Sequence, residues 1–214
     1  MKSRTMIQHW DNSQKTLIAF TLISSIIFYY ITVQIPPELP LLYLDNFKFE
    51  PFVSFFKYIT YLGESGPYFV FGLFFIYKKD KLYAWIAGLG LTVMLVSNVL
   101  KEFFYERRPY FYLVEKGYLD NFHIIEDLHL GNNSFPSGHT LSAFAIFVFI
   151  ILSKRKPLVW NFLLLLLAFC VAVSRVYIGH HFMQDVCAGA IIGTLLGILF
   201  DGIRNQTTKN LARI

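Results

Sequence analysis

Charged residues are scarce in this sequence, because Asp, Glu, Lys and Arg make up only 15% of its 214 residues. A soluble domain normally carries about 25% of such residues. Apolar residues account for 55% of the chain and stand in long blocks instead of alternating with charge. This composition excludes an ordinary soluble domain and predicts a single membrane-embedded domain over residues 1–214.

Cysteine is also rare, which argues against a zinc-binding domain and against a disulfide-rich domain. The two cysteines, Cys170 and Cys187, fall inside apolar runs and show neither a zinc-type spacing nor a disulfide framework. We therefore expect both thiols to pack as small hydrophobic groups. No small-residue cleavage site follows the first apolar block, so this block is predicted to be a retained helix and not a signal peptide.

Six apolar blocks approach the length of about 20 residues that a helix needs to cross a bilayer. Helix is the expected type, because in lipid the backbone must be hydrogen-bonded within the segment. The predicted fold class is all-α, a bundle of six transmembrane helices. The stretch GESGP (63–67) interrupts the second block and also allows a short interfacial helix followed by a tilted span. The blocks cover about residues 16–35, 55–77, 82–104, 139–153, 158–178 and 182–203.

Basic residues predict the orientation of these spans. With six spans, twelve of the 19 Lys and Arg residues fall on one side, and the positive-inside rule makes that side the cytoplasm. The N-terminal segment 1–15 and the tail 204–214 are then cytoplasmic, and the loop 110–135 is extracytoplasmic. The remaining seven basic residues fall on the outer side, where the rule predicts few, so they need another reason to be there.

Three polar segments lie at the outer ends of the predicted spans. They are KEFFYERRP (101–109), FPSGHT (135–140) and SRVYIGHHFMQD (174–185). Because they share one face of the membrane, we expect their side chains to meet in an outward-facing active site. A lysine and two arginines in these segments would repel one another in a partly dehydrated site unless an anion, such as phosphate, lay among them.

The start of the fourth span adds N–H groups at a helix N-terminus, where anions bind readily, and serine hydroxyls add further donors. The residues of this predicted phosphate site are Lys101, Arg108, Ser137, Gly138, Ser174 and Arg175.

The histidines predict covalent catalysis. His181 and Asp185 are four residues apart, so on a helix they share a face and can form a hydrogen bond. A carboxylate that holds one imidazole nitrogen leaves the other free to attack phosphorus. We therefore predict His181 as the nucleophile, Asp185 as the residue that orients it and His139 as the general acid for the leaving oxygen. His180 is predicted to pack or to cap. A metal is not expected among three cations.

Together these motifs resemble the three-part signature of the type 2 phosphatidic acid phosphatase (PAP2) superfamily. The matching positions are Lys101–(six residues)–Arg108-Pro109, Pro136-Ser137-Gly138-His139 and Ser174-Arg175–(five residues)–His181–(three residues)–Asp185. The resemblance implies hydrolysis of a lipid phosphomonoester or pyrophosphate through a phosphohistidine, without metal or cofactor, in a bacterial inner membrane. It implies undecaprenyl pyrophosphate, phosphatidylglycerol phosphate, phosphatidic acid and lipid A as substrate types and does not select one.

Several alternatives stay open at this point. The same phosphohistidine would also serve a lipid phosphotransferase. An anion or lipid transporter is less favoured, because the polar residues gather on one face instead of lining a path through the bilayer. The loop 110–135 is either a lid or a solvated segment, and Arg107 is either accessory or extends to the lipid headgroups. No nucleic-acid partner is expected, and the oligomeric state is open.

Overall fold

The computed structural model describes residues 9–118, 122–123 and 132–211. Parts of the predicted cytoplasmic ends (1–8 and 212–214) and of the predicted outer loop (119–121 and 124–131) lie outside the described residues. Within the described ranges the regular structure is helical and no strand occurs. The helices are α1 (Asn12–Thr32), α2 (Glu38–Asp45), α3 (Phe52–Ile59), α4 (Gly66–Tyr77), α5 (Leu82–Phe104), α6 (Pro109–Lys116), α7 (Gly138–Ser153), α8 (Leu158–Tyr177) and α9 (Met183–Leu211), with a 3-10 turn at Thr60–Gly63.

The long helices are suited to a membrane. Among the described residues, α1, α5 with its continuation into α6, α8 and α9 are long and apolar enough to cross one. The segments Phe52–Gly63 and Gly66–Tyr77 pass the same test together but are bent by 56°. That bend lies inside GESGP, where the sequence predicted an interruption. The chain is therefore an all-α membrane protein.

Helix α7 is short, with 16 residues, or about 24 Å of helix. All of its side chains from Thr140 to Ser153 are buried. It packs against α1, α5, α8 and α9. Because it is surrounded by protein, α7 is apolar on every side and does not need the length of a lipid-facing helix. This explains why the fourth apolar block looked short in the sequence.

Helix α9 approaches α7 closely through glycines spaced four residues apart. A β-carbon added to Gly193 would lie 2.3 Å from the carbonyl oxygen of Leu141, and one added to Gly189 would lie 2.7 Å from that of Ser137. Only glycine allows such a distance between helices. At the same contact, the Ser137 N–H donates to the carbonyl oxygen of Asp185 at 3.0 Å. The glycines therefore bring two of the three motif segments together.

We expect Gly193→Ala to lower both thermal stability and activity, because the added methyl group has no space and would push α9 away from α7. Overpacking of this kind costs about 1–3 kcal/mol. Gly72→Ala is the matched control, since a β-carbon there meets nothing within 4 Å. Thermal unfolding of both variants in detergent checks the prediction. Equal melting temperatures for the two would contradict the close contact.

The opposite end of the bundle is held by ion pairs between turns. Asp80, in the turn before α5, pairs with Lys154 in the turn after α7. This hydrogen bond lowers the pKa of Asp80. Buried Asp201 accepts hydrogen bonds from the Trp10 indole at 2.8 Å and from the Arg204 guanidinium at 2.7 Å. Helix α9 continues to Leu211, so the predicted tail is helical as far as the structure describes it.

Candidate active site

The three motif segments meet at the end of the bundle away from Asp80 and Lys154. Lys101 lies in the last turn of α5, Arg108 precedes α6, His139 lies in the first turn of α7 and Arg175 lies in the last turn of α8. Lys101, Arg108 and Arg175 are all close enough to act electrostatically on His181, in the turn between α8 and α9. The structure thus brings the predicted residues of five elements together.

His181 is almost fully buried, with 1% of its surface exposed. Its Nδ1 lies 3.5 Å from Asp185 Oδ2 and 3.5 Å from Ser134 Oγ. Burial, together with the nearby Arg175, Arg108 and Lys101, holds the pKa of His181 well below its ordinary value. The imidazole is therefore neutral in the free protein. With Nδ1 facing these two oxygens, Nε2 is the nitrogen that can attack.

Asp185 is held by short hydrogen bonds in the first turn of α9. Its Oδ2 accepts from the Ser134 hydroxyl at 2.6 Å and from the Phe182 N–H at 3.0 Å. A carboxylate is also favoured at this helix N-terminus by the helix dipole. The contact with His181 is longer, so Asp185 and Ser134 hold the imidazole as a pair. Sequence reasoning missed Ser134, whose only signal was its position just before the FPSGHT segment.

Arg175 is fixed in place by two side chains. It is 2% exposed. Its Nη1 donates to Thr60 Oγ1 at 2.7 Å, and its Nη2 donates to His180 Nδ1 at 2.7 Å. His180 therefore contacts a residue of the predicted phosphate site and not Asp185. Thr60 was not predicted, because nothing in the sequence connects it with a residue 115 positions away.

Of the other two cations, Arg108 contacts the segment before α7 and Lys101 contacts the start of α7. Arg108 Nε donates to Asn133 Oδ1 at 2.8 Å. Its Nη1 is buried and has no hydrogen-bond partner within the described ranges. A β-carbon added to Gly138 would lie 3.3 Å from Lys101 Nζ, so this ammonium group lies against the helix N-terminus. A buried guanidinium nitrogen without a partner is costly, and an anionic ligand would remove that cost.

Two of the predicted phosphate donors already have protein partners. The N–H of Ser137 is bonded to Asp185, and the Ser174 hydroxyl donates to the Val171 carbonyl oxygen at 2.6 Å. The first-turn N–H groups of α7, beginning with Gly138, have no acceptor within their helix and face outward from its N-terminus. Arg107 lies apart from the cluster, since it is exposed and pairs with Glu115 at 2.5 Å.

His139 lies at the head of a long apolar groove. A cavity of about 730 Å³ runs between α4 and α5 and ends at Gly138 and His139. The imidazole Nε2 lies 3.4 Å from Oε1 of Glu64, a residue that sequence reasoning did not select. No cluster of three or more His, Cys, Asp or Glu suited to a metal occurs in the part of the chain that the structure describes.

Comparison with known proteins agrees with this geometry. A family model described as "PAP2 superfamily" matches residues 82–208. The chain belongs to the PAP2 superfamily. The matched residues include α5, α7, α8 and most of α9, and they contain all three motif segments. The predicted resemblance is confirmed, and the chain is a phosphatase of this superfamily.

Relatives and a solved structure extend the match over most of the PAP2 chain. Phosphatidylglycerophosphatase B of Bacillus subtilis is 34% identical over 170 residues, which cover 71% of this chain and 74% of that protein. Undecaprenyl-diphosphatase BcrC of Bacillus subtilis is 29% identical over 125 residues, covering 58% of this chain and 57% of that protein. The crystal structure of a transmembrane PAP2-type phosphatidylglycerolphosphate phosphatase from Bacillus subtilis covers 92% of this chain and is itself covered to 98%, with a TM-score of 0.66 at 24% identity. It supports the fold of nearly the whole chain.

Proposed function

We propose that this PAP2 protein is a metal-independent lipid phosphate phosphatase that works through a phosphohistidine on His181. One observation carries the proposal. A buried, neutral His181, held by Asp185 and Ser134, lies beside three cations, and one of these has a buried nitrogen without a partner. A phosphoryl group among these cations would satisfy Arg108 and present its phosphorus to Nε2.

In the first step, Nε2 of His181 attacks phosphorus in line with the leaving oxygen. A P–N bond forms, and the bond from phosphorus to the leaving oxygen breaks. Protonated His139 gives its proton to that oxygen and becomes neutral. Asp185 stabilises the positive charge that the His181 ring acquires. Lys101, Arg108 and Arg175 stabilise the negative charge on the phosphoryl oxygens.

In the second step, water attacks the phosphohistidine. Neutral His139 takes a proton from this water as a new P–O bond forms and the P–N bond breaks. Inorganic phosphate leaves, and His181 returns to its neutral form. The same residue therefore acts as acid in the first step and as base in the second.

A lipid substrate fits the surroundings of this site. The groove between α4 and α5 extends from Tyr83 to Asn98, about 22 Å along α5. This is long enough for one hydrocarbon chain of a lipid whose phosphate lies among the cations. We infer six membrane crossings, with α7 as the fourth, cytoplasmic termini and an extracytoplasmic site in a bacterial inner membrane. The basic turns at the Asp80–Lys154 end support this orientation.

Phosphate release from a panel of lipids by the purified protein in detergent tests the proposal. The panel holds undecaprenyl pyrophosphate, phosphatidylglycerol phosphate, phosphatidic acid and phosphorylated lipid A. We expect release from at least one of them, and the fastest substrate would indicate the physiological class. Absence of phosphate release from every one of the four lipids would contradict the proposed substrate class.

We also expect chelation to leave this activity unchanged, since the cations of the protein supply the positive charge that a metal would otherwise provide. The measurement compares phosphate release with and without EDTA after dialysis against the chelator. Loss of activity in EDTA with recovery on addition of a divalent cation would contradict the metal-independent mechanism.

A further inference from the structure

Glu64 lies beside the predicted general acid because of the break between α3 and α4. The 3-10 turn ends at Gly63, where an added β-carbon would lie 2.7 Å from both the Cβ and the carbonyl oxygen of His139. The backbone of the turn is thus in direct contact with the first turn of α7. Glu64 is the next residue, so the packing of the turn places its backbone beside His139, while its side chain is about half exposed.

Among the charged groups around His139, Glu64 is the one that can stabilise a positive charge on the ring. The charged and titratable groups that face the ring are Lys101 from α5, Arg175 from α8, and His180 and His181 from the turn before α9. Burial, Arg175 and Lys101 all oppose a positive charge on His139, and the two histidines offer no negative charge. Glu64 supplies the carboxylate within 4.0 Å of the ring, and no other described residue does so.

The side chains of Glu64 and His139 also line the same part of the cavity. Both contribute to its wall at the end near the cations, with Gly138 and Ser97 beside them. Nε2 of His139, which faces Glu64, is therefore directed to the head of the groove. If the lipid chain lies in the groove and the phosphate lies among the cations, the leaving oxygen lies between them, next to this nitrogen.

We propose that Glu64 is a positioning residue that keeps His139 protonated and oriented for proton transfer to the leaving oxygen. This inference rests on the proposed phosphatase function. In the substrate complex, where the bound phosphate offsets the charges of Lys101 and Arg175, the Nε2–H of protonated His139 is bonded to the Glu64 carboxylate. When the P–O bond breaks, this proton moves from Nε2 to the leaving oxygen, and His139 becomes neutral beside the carboxylate. The proton that His139 takes from water in the second step restores the pair.

Substrates whose leaving oxygens differ in basicity can distinguish a role of Glu64 in proton donation from a purely structural role. Phosphatidic acid releases a basic alkoxide oxygen, which needs a proton as it departs. Diacylglycerol pyrophosphate has the same hydrocarbon chains but releases a weakly basic phosphate oxygen, which needs far less assistance. A variant that impairs only proton donation will slow the first substrate much more than the second.

We expect Glu64→Gln to lower kcat for phosphatidic acid by about 10- to 50-fold, a part of the 10²–10⁴-fold that a general acid contributes. The rate for the first phosphate of diacylglycerol pyrophosphate should fall by less than about threefold. Glu50→Gln is the matched control, because it removes the same charge from the segment before α3, where Glu50 accepts from Ser54 at 2.8 Å. This control should match the wild type on both lipids.

A double variant tests whether Glu64 acts through His139. Once His139→Asn has removed the acid, adding Glu64→Gln should cause no further loss on phosphatidic acid. Equal losses on both lipids, no loss on either, or additive losses in the double variant would overturn the role of Glu64 and leave the phosphatase function standing. A wild type inert on both lipids and on the wider panel would overturn the phosphatase function itself and the role of Glu64 with it.

Discussion

Replacing His181 with asparagine is expected to reduce phosphate release by at least about 10⁴-fold, as removal of a catalytic nucleophile does in other enzymes. Asparagine keeps a polar side chain at a buried position but cannot attack phosphorus through Nε2. The loss should be similar for every lipid of the panel, because each substrate needs the same first step. The measurement is phosphate release under single-turnover conditions in detergent.

His9→Asn is the matched control for this experiment. His9 lies at the other end of the bundle, where its Nε2 contacts Asp201 at 2.6 Å. This variant should keep wild-type activity, which would separate a loss of catalysis from a general effect of removing a histidine. More than about one hundredth of wild-type activity in His181→Asn would show that another group is the nucleophile.

The second large effect is expected for Asp185→Asn. The amide keeps the size of the carboxylate but removes the negative charge that stabilises the phosphorylated imidazole. The hydrogen bonds from Ser134 and Phe182 both end on Oδ2, so the single amide oxygen of asparagine can still accept them and the loss reports mainly the missing charge. We expect kcat to fall by about 10³-fold, by analogy with catalytic aspartates that hold a histidine. KM should change little, because the three cations that bind phosphate are untouched.

Ser134→Ala is the variant to compare with Asp185→Asn, because Ser134 and Asp185 both contact His181. It removes one hydrogen bond from an uncharged hydroxyl to Asp185 but leaves the carboxylate, so a loss of about tenfold is expected. Steady-state kinetics on the best lipid of the panel measure both variants. A larger loss for Ser134→Ala than for Asp185→Asn would reverse the assignment, because the serine would then be the main partner of His181.

The helices and the motif residues could be predicted because their signals are local. Apolar blocks of sufficient length predict spans, and GESGP predicted the break that bends α3 from α4 by 56°. Counting spans then placed the three polar segments on one face, and the structure brings their residues together. The short fourth block was harder to interpret from the sequence. Its burial depends on how α7 packs against α1, α5, α8 and α9, and the sequence of the block alone does not show that packing.

The site residues Thr60 and Glu64 could not be predicted from the sequence, because the residues they contact lie far away in the chain. Thr60 bonds to Arg175 across 115 positions, and Glu64 contacts His139 across 75. Threonine and glutamate near an apolar block look like ordinary polar residues at a helix end. Their roles depend on how the 3-10 turn packs against α7, and that packing depends on Gly63, whose close contact is visible only in three dimensions.

The most direct test of the mechanism is to trap the covalent intermediate. Wild-type protein is mixed with the best lipid of the panel, stopped within one turnover by alkali, digested and analysed by mass spectrometry. Phosphohistidine survives alkali, so we predict one phosphoryl group on the peptide that carries His181. The Asp185→Asn variant should show the same site at lower occupancy. Rapid turnover with no phosphorylated peptide, or with the phosphoryl group on another residue, would contradict His181 as the nucleophile.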